Sequence, residues 1–370
     1  MIRASRLVFL FVGTLSIALG AHAQSASSSF GDSFAQTAPS LFGESFEQDG
    51  SAGATEIEKV QNSQLEGITF YWENDGGFLK LYDSHDRYYT NGAGFEMAWT
   101  STQYNNWKKY IPLFDDFEDP AFAFGFSFRQ FMYTPEDIEM AALDPDDRPY
   151  SGWLTSGWFL QRSDEHKFDH AQLDVGFVGG DWTAASNVQK FVHRILPEQI
   201  NPQGWDNQLA NELAINVFYQ RRWKTDTARW GDLELDAIPL LGFEFGNVHV
   251  NAHTGVIGRI GFNLPDNFGP ANLREFRDHT GSREGKWGLY GYGRLDGSVI
   301  ARDIFLDGNT FANSHSIDKK PFVGSVSGGL VLRYDWFRVG YSVTYESERF
   351  NGQNGGDSFA SLELTASWQF

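Results

Sequence analysis

Ala360-Ser361-Leu362-Glu363-Leu364-Thr365-Ala366-Ser367-Trp368-Gln369-Phe370 closes the sequence. Ala360, Leu362, Leu364, Ala366, Trp368 and Phe370 fall on one face of an extended chain, and Ser361, Glu363, Thr365, Ser367 and Gln369 on the other. Strand side chains alternate between faces, so this is a strand with one apolar and one polar side. Many soluble sheets share that pattern, but here the alternation runs to the last residue and stops on an aromatic ring. A soluble sheet has no reason to end so, whereas a terminal aromatic strand is what outer-membrane assembly machinery reads. The expectation is a membrane-spanning barrel.

The same period recurs upstream. Ile68, Phe70 and Trp72 alternate with Thr69, Tyr71 and Glu73, and Ala93, Phe95, Met97 and Trp99 with Gly94, Glu96, Ala98 and Thr100. Phe122, Phe124, Phe126 and Phe128 make an aromatic stripe, and two further alternating runs cover 170–177 and 341–346. These strands predict an all-β, antiparallel transmembrane barrel of about 12 strands, an even number as such barrels require. They fall near 67–74, 88–101, 120–133, 150–164, 168–179, 208–224, 231–246, 249–264, 286–303, 321–334, 336–349 and 358–370. With both termini periplasmic, parity turns the loops 75–87, 134–149, 180–207, 304–320 and 350–357 outward. It also sends the long segment 265–285 to the periplasmic side, where short turns are usual.

The other end of the chain agrees with export. Arg3 and Arg6 precede an apolar run from Leu7 to Leu19, and Ala21-His22-Ala23 is a small-x-small cleavage site. Residues 1–23 therefore read as a secretory signal peptide, too short in its apolar run to span as an anchor. Residues 24–64 are rich in Ser, Ala, Gln and Gly, and Phe30-Gly31-Asp32-Ser33-Phe34 returns as Phe42-Gly43-Glu44-Ser45-Phe46. They read as a disordered periplasmic extension ahead of a barrel over 65–370. Mean hydropathy is −0.39, a soluble-looking value. The 33 Phe, 14 Tyr and 12 Trp residues argue otherwise, because a barrel spends rings on its lipid face and its interfacial girdles. Without cysteine there is no disulfide or thiolate chemistry. The net charge of −19 argues against nucleic acid as a partner, and an acidic protein among anionic lipids points softly to calcium.

Soluble-enzyme motifs fail: there is no Gly-x-Ser-x-Gly elbow, metalloprotease helix or P-loop. Asp32-Ser33 and Asp357-Ser358 hint faintly at a lipase signature, but one lies in low complexity and the other at a loop tip. The polar groups of interest sit at the outward strand ends. Asn74, Asp75 and Thr90 converge across the first hairpin and are hard oxygen donors suited to calcium; a solvated hairpin tip is the plainer alternative. Asn74 shares the lipid-side parity of Ile68, Phe70 and Trp72, while Thr90 falls on the opposite parity. Residues 183–196 read as a short helix with Val188, Phe191, Val192 and Ile195 on its apolar face, stopped by Pro197. Gln189 and His193 lie one turn apart on one side, so His193 can serve as a general base, although a lone histidine on such a helix is more often structural.

The sequence over 67–370 resembles the outer-membrane lipid A 3′-O-deacylase family. The likeness is carried by Glu73-Asn74-Asp75, by Asp86-Arg87-Tyr88-Tyr89-Thr90-Asn91-Gly92, by Tyr133-Thr134-Pro135 and by Asp147-Arg148-Pro149-Tyr150-Ser151-Gly152-Trp153. It continues in Val188-Gln189-Lys190-Phe191-Val192-His193-Arg194, Gly204-Trp205-Asp206-Asn207-Gln208-Leu209 and Leu306-Asp307-Gly308-Asn309. The resemblance implies a monomeric 12-stranded barrel in the outer membrane and a calcium-dependent hydrolase acting on lipopolysaccharide. Its site would lie between the wall and an extracellular-loop helix, with His193 activating water and Asn74, Asp75 and Thr90 around the metal and ester. The family also carries a glutamate shortly after the histidine; Glu198 is the nearest position, with Gln199 beside it, so the implied metal ligands are Asn74, Asp75 and Glu198. Asp147 and Arg148 match a motif too and are expected to organise their loop as an ion pair. Two other readings remain, a non-catalytic porin or structural barrel and a serine phospholipase, which would need a serine near His193; Ser186 is the nearest in sequence.

Overall fold

The computed structural model describes residues 63–76, 87–101, 116–195, 201–281 and 286–368. The expected leader and most of the expected extension lie outside them, as do Glu198, Gln199 and Phe370. The wall begins with β1 (Ser63–Asn74), β2 (Tyr88–Ser101), β3 (Ala121–Thr134), β4 (Ser151–Ser163) and β5 (Lys167–Gly179). Helix α1 (Ala185–Ile195) follows, then β6 (Glu212–Trp223), the three-residue β7 (Ala228–Trp230), β8 (Leu233–Gly246), β9 (His249–Phe262) and β10 (Trp287–Asp303). A one-turn helix α2 (Ile304–Asp307) precedes β11 (Phe322–Tyr334), β12 (Phe337–Glu346) and β13 (Asp357–Ser367). Each long strand pairs antiparallel with its neighbours; β13 pairs with β1, and β6 pairs with β8 across the short β7, so twelve strands close into a barrel. Among the described residues no helix is long and apolar enough to cross a membrane.

Burial in this wall is the reverse of a soluble sheet. In β13, Ser361, Glu363, Thr365 and Ser367 are buried, while Trp368 just beyond is 41% exposed. The hidden polar groups find partners in the lumen: Thr365 Oγ1 meets Thr69 Oγ1 at 3.0 Å, and Arg338 pairs with Glu363 at 3.2 Å. The apolar side chains point outward, where hydrocarbon replaces water as their solvent.

The segment after β9 departs from the sequence expectation. Residues 265–281 do not hang below the barrel as a long periplasmic loop; they turn into the lumen. Phe268, Leu273, Phe276, Arg277, Asp278 and His279 are all buried. Arg277 forks onto Glu66 of β1 at 2.8 and 2.9 Å, and His279 bridges Glu66 (2.7 Å) and Glu96 of β2 (3.0 Å). Glu275 receives Arg222 of β6 and Arg294 of β10, at 3.0 and 2.6 Å. The segment is a plug, and inward-facing charges on four strands are its counterparts. At the loop end, α2 places Phe305 against Tyr133, with ring centroids 4.2 Å apart.

Candidate active site

The first hairpin brings three of the expected residues together. The Asn74 Nδ2 donates to the Thr90 carbonyl at 3.0 Å, and the Asp75 backbone N–H donates to the same oxygen at 3.3 Å. Asn74 Oδ1 accepts from the Gly76 N–H (2.9 Å), and Asp75 Oδ2 accepts from the Arg87 N–H (2.6 Å). Glu73 faces the other way. Its carboxylate accepts from the Tyr89 hydroxyl (2.6 Å) and from the Leu273 N–H of the plug (3.0 Å). Alternation then turns Asn74 outward.

Thr90 corrects the parity argument. The register between β2 and β3 shifts between Tyr89 and Asn91: Tyr89 pairs with Tyr133, Asn91 with Met132. Thr90 is the extra residue of a bulge, which reverses the alternation locally. Tyr89 and Tyr133 belong to the lumen cluster, whereas Met132 packs with Ala185 and Val188 of α1. Thr90 Oγ1 lies 2.7 Å from Thr134 Oγ1, and Thr134 follows the parity of Met132. Thr90 therefore stands on the lipid side with Asn74, and not opposite it.

Helix α1 lies on that same outer surface. It starts hard against β4: a Cβ on Gly152 would sit 2.2 Å from Thr183 Oγ1 and 2.7 Å from the Ala185 Cβ, so glycine is what lets the helix approach the wall. Gln130 of β3 donates to the Thr183 carbonyl. Buried Gln189 accepts from Trp205 Nε1 at 2.7 Å, and the Trp205 ring packs on Tyr150 at 4.9 Å. His193 occupies the last turn, part-buried, one turn beyond Gln189 on the helix side that carries Ala185. Ala185, Val188 and Gln189 are turned to the wall, and Phe191, on the apolar face with Val188, is 40% exposed. Ser186 stands seven residues before His193 on the same helix, roughly 10 Å along its axis, too far for a serine–histidine pair.

The remaining candidates build the surroundings. Asp147 organises its loop by accepting the Glu136 and Arg148 backbone N–H groups, both at 2.6 Å, and burial raises its carboxyl above the ordinary range. Arg148 stacks its guanidinium 4.5 Å over Tyr133, so the two act through separate contacts. Asp357 is buried and accepts from the Tyr89 N–H at 3.2 Å, steadying the bulge. Sequence reasoning missed Thr134 and Trp205 as site residues, although both stood in the motifs quoted. Among the described residues, no three His, Asp or Glu side chains gather as a metal cluster.

The chain matches the model of the family described as outer membrane protein LpxR over residues 22–370. No sequence among curated proteins matches it. Among solved structures, LpxR from Salmonella typhimurium superposes with a TM-score of 0.65 at 16% identity, covering 82% of this chain and all of the other. The translocator domain of the autotransporter NalP from Neisseria meningitidis aligns at a TM-score of 0.39 and 7% identity, over 86% and 93% of the two chains. The first likeness speaks for the barrel; the family match spans the wall, the bulged hairpin and the helix together. This chain belongs to the LpxR family of outer membrane proteins, the lipid A 3′-O-deacylase family that its motifs resemble.

Proposed function

We propose that this protein is a lipid A deacylase that hydrolyses the ester of the 3′-linked acyloxyacyl chain of lipopolysaccharide, with His193 as the base and calcium as its cofactor. One observation carries the reading. The polar cluster of Asn74, Thr90 and Thr134 faces the lipid side of the wall at its loop end, beside the helix that bears His193. A solute enzyme or a pore has no use for polar groups there, whereas a lipid ester arrives at that depth.

His193 accepts the proton of the attacking water. Its place in the last turn of α1 favours the imidazolium that results, because the helix C-terminus carries partial negative charge. The Gln189–Trp205 bond and the Gly152 contact hold the helix, and so the imidazole, at a fixed distance from the wall. Thr90 and Thr134 orient the substrate's polar head through their hydroxyls. The donors at the hairpin are all oxygens, which fits a hard divalent cation; Asn74 and Asp75, with Glu198, would hold it. Held there, calcium would supply positive charge against the negative charge that develops on the ester carbonyl oxygen. With two carboxylates at most, affinity on the order of 10⁻⁴ M is expected.

The test is expression in a strain with hexa-acylated lipid A, followed by lipid A mass spectra with and without chelator. Loss of one acyloxyacyl unit, abolished by chelator, is the expected result. An unchanged spectrum from protein folded in the outer membrane would overturn the reading.

A further inference from the structure

The outer surface below the site is built in rows. Pairing sets Asn74, Asn91 and Met132 side by side across β1, β2 and β3 at the level of the polar cluster. The next row down is Trp72, Ala93 and Gln130, and the one below it Phe70, Phe95 and Phe128. Ile68, Met97 and Phe126 follow, then Trp99 beside Phe124. The rings form a connected surface: Phe95 lies 6.2 Å from both Phe70 and Phe128 and 5.9 Å from Phe126, while Trp99 stacks on Phe124 at 6.0 Å.

Within this surface Ala93 is a step down. Its methyl group stands between the indole of Trp72 and the side chain of Gln130, and Gln130 is drawn towards α1 by its bond to the Thr183 carbonyl. The notch opens upward on Asn91 and downward on Phe95. From Asn91 to Met97 the strand advances about 20 Å, and at a tilt near 40° it descends about 15 Å, the hydrocarbon depth of one leaflet. The opposite wall has a low row of its own, but α1 packs on β3 and β4 and not there. There Gly258, Gly293 and Gly328 pair in a row across β9, β10 and β11, and a Cβ on Gly258 or Gly293 would meet nothing within 4 Å.

We propose that Ala93 is the floor of a notch that admits the acyl chain of the ester to be cleaved, and that Phe95 and Phe128 form the track on which that chain lies. The proposal rests on the deacylase reading and names the part of the substrate that the wall recognises. A saturated chain gains contact with rigid rings without ordering flexible side chains, and the small Ala93 side chain fixes where the chain leaves the polar level. The rows thereby set the depth of the ester relative to His193.

The test uses the full chain in outer membranes, with folding checked by heat-modifiable gel mobility. Ala93→Leu and Ala93→Phe fill the notch; Gly293→Phe adds the same bulk to the far wall. Each variant is assayed on lipid A carrying the usual chain at the cleaved position and on lipid A with a shorter one. Folded Ala93→Phe is expected to lose at least tenfold on the longer chain and clearly less on the shorter, with Ala93→Leu between and Gly293→Phe unchanged. Wild-type rates from folded Ala93→Phe, or an equal loss on both chains, would overturn the notch while leaving the deacylase intact. A wild-type protein inactive on both would overturn the deacylase reading and the notch with it. If Ala93→Phe does not fold, Ala93→Leu decides by the same chain-length criterion.

Discussion

Two segments leave the wall between strands, and they go opposite ways. The plug, 265–281 between β9 and β10, turns into the lumen and is held by charge: Arg277 and His279 on Glu66, and Glu275 on Arg222 and Arg294. The other lies between β5 and β6 and carries α1. It stays outside and is held by apolar packing of Ala185 and Val188 on Met132, Tyr150 and Trp205, with the Trp205–Gln189 bond at its centre. Each segment matches the face it meets, since the inward residues of the wall are polar and the outward ones apolar. The alternation of the strands thus decides where an insertion settles. It also separates two tasks. The plug's charges build a structural network in the lumen, and the groups proposed to react stand on the side where lipid is.

That division can be broken at either segment. The largest expected effect is on the outer one. His193→Ala removes the base and is expected to lower the deacylation rate by about 10²- to 10⁴-fold, as loss of a general base usually does. The barrel should still fold, because His193 sits at the last turn of a helix outside the wall. Rates on purified lipid A, with gel mobility as the folding control, would decide; an alanine variant with full activity removes histidine from the mechanism.

Next in size is the plug. Arg277→Ala leaves the buried Glu66 facing His279 without its bidentate partner. Breaking a buried pair from one side costs about 3–5 kcal/mol. Denaturant unfolding in lipid vesicles should show the unfolding free energy fall by that amount, while the protein that remains folded keeps its deacylation rate. A variant that unfolds normally but loses activity would mean that the plug takes part in catalysis, and the separation of tasks would fail.

The two segments also differ in how far they can be read from sequence. The strands were legible because lipid on one side and polar partners on the other force a period of two, and the predicted wall strands match the observed ones closely, as with β2 at 88–101. Helix α1 was legible by its 3.6-residue pattern, although that pattern did not show that Ala185 and Gln189 would be the residues buried against the wall. The plug has no period to read. Its irregular backbone is held by partners on distant strands, Glu66 for Arg277 lying more than two hundred residues away, and nothing local announces them. The face of Thr90, though not its candidacy, escaped for a related reason. A single bulge reverses its face, and a bulge is fixed by the register of β3 and by the hold of Asp357 on the Tyr89 N–H, not by the residues around it.

The smallest effect sharpens the comparison most. Trp205→Phe keeps the ring against Tyr150 but removes the N–H that bonds Gln189 Oε1 at 2.7 Å. One buried hydrogen bond of this kind is worth about 1–2 kcal/mol, so the open population of α1 should rise by roughly 5- to 30-fold. Hydrogen exchange would register faster exchange over 185–195 with unchanged protection in β3 and β4. The deacylation rate should fall only a few-fold, because the helix is still docked most of the time and His193 is mispositioned only when it opens. If the wall strands lost protection as well, the helix would be part of the barrel's cooperative unit. If neither exchange nor rate changed, the packing of Ala185 and Val188 would suffice to hold the helix, and the Trp205–Gln189 bond would have no part in setting the site.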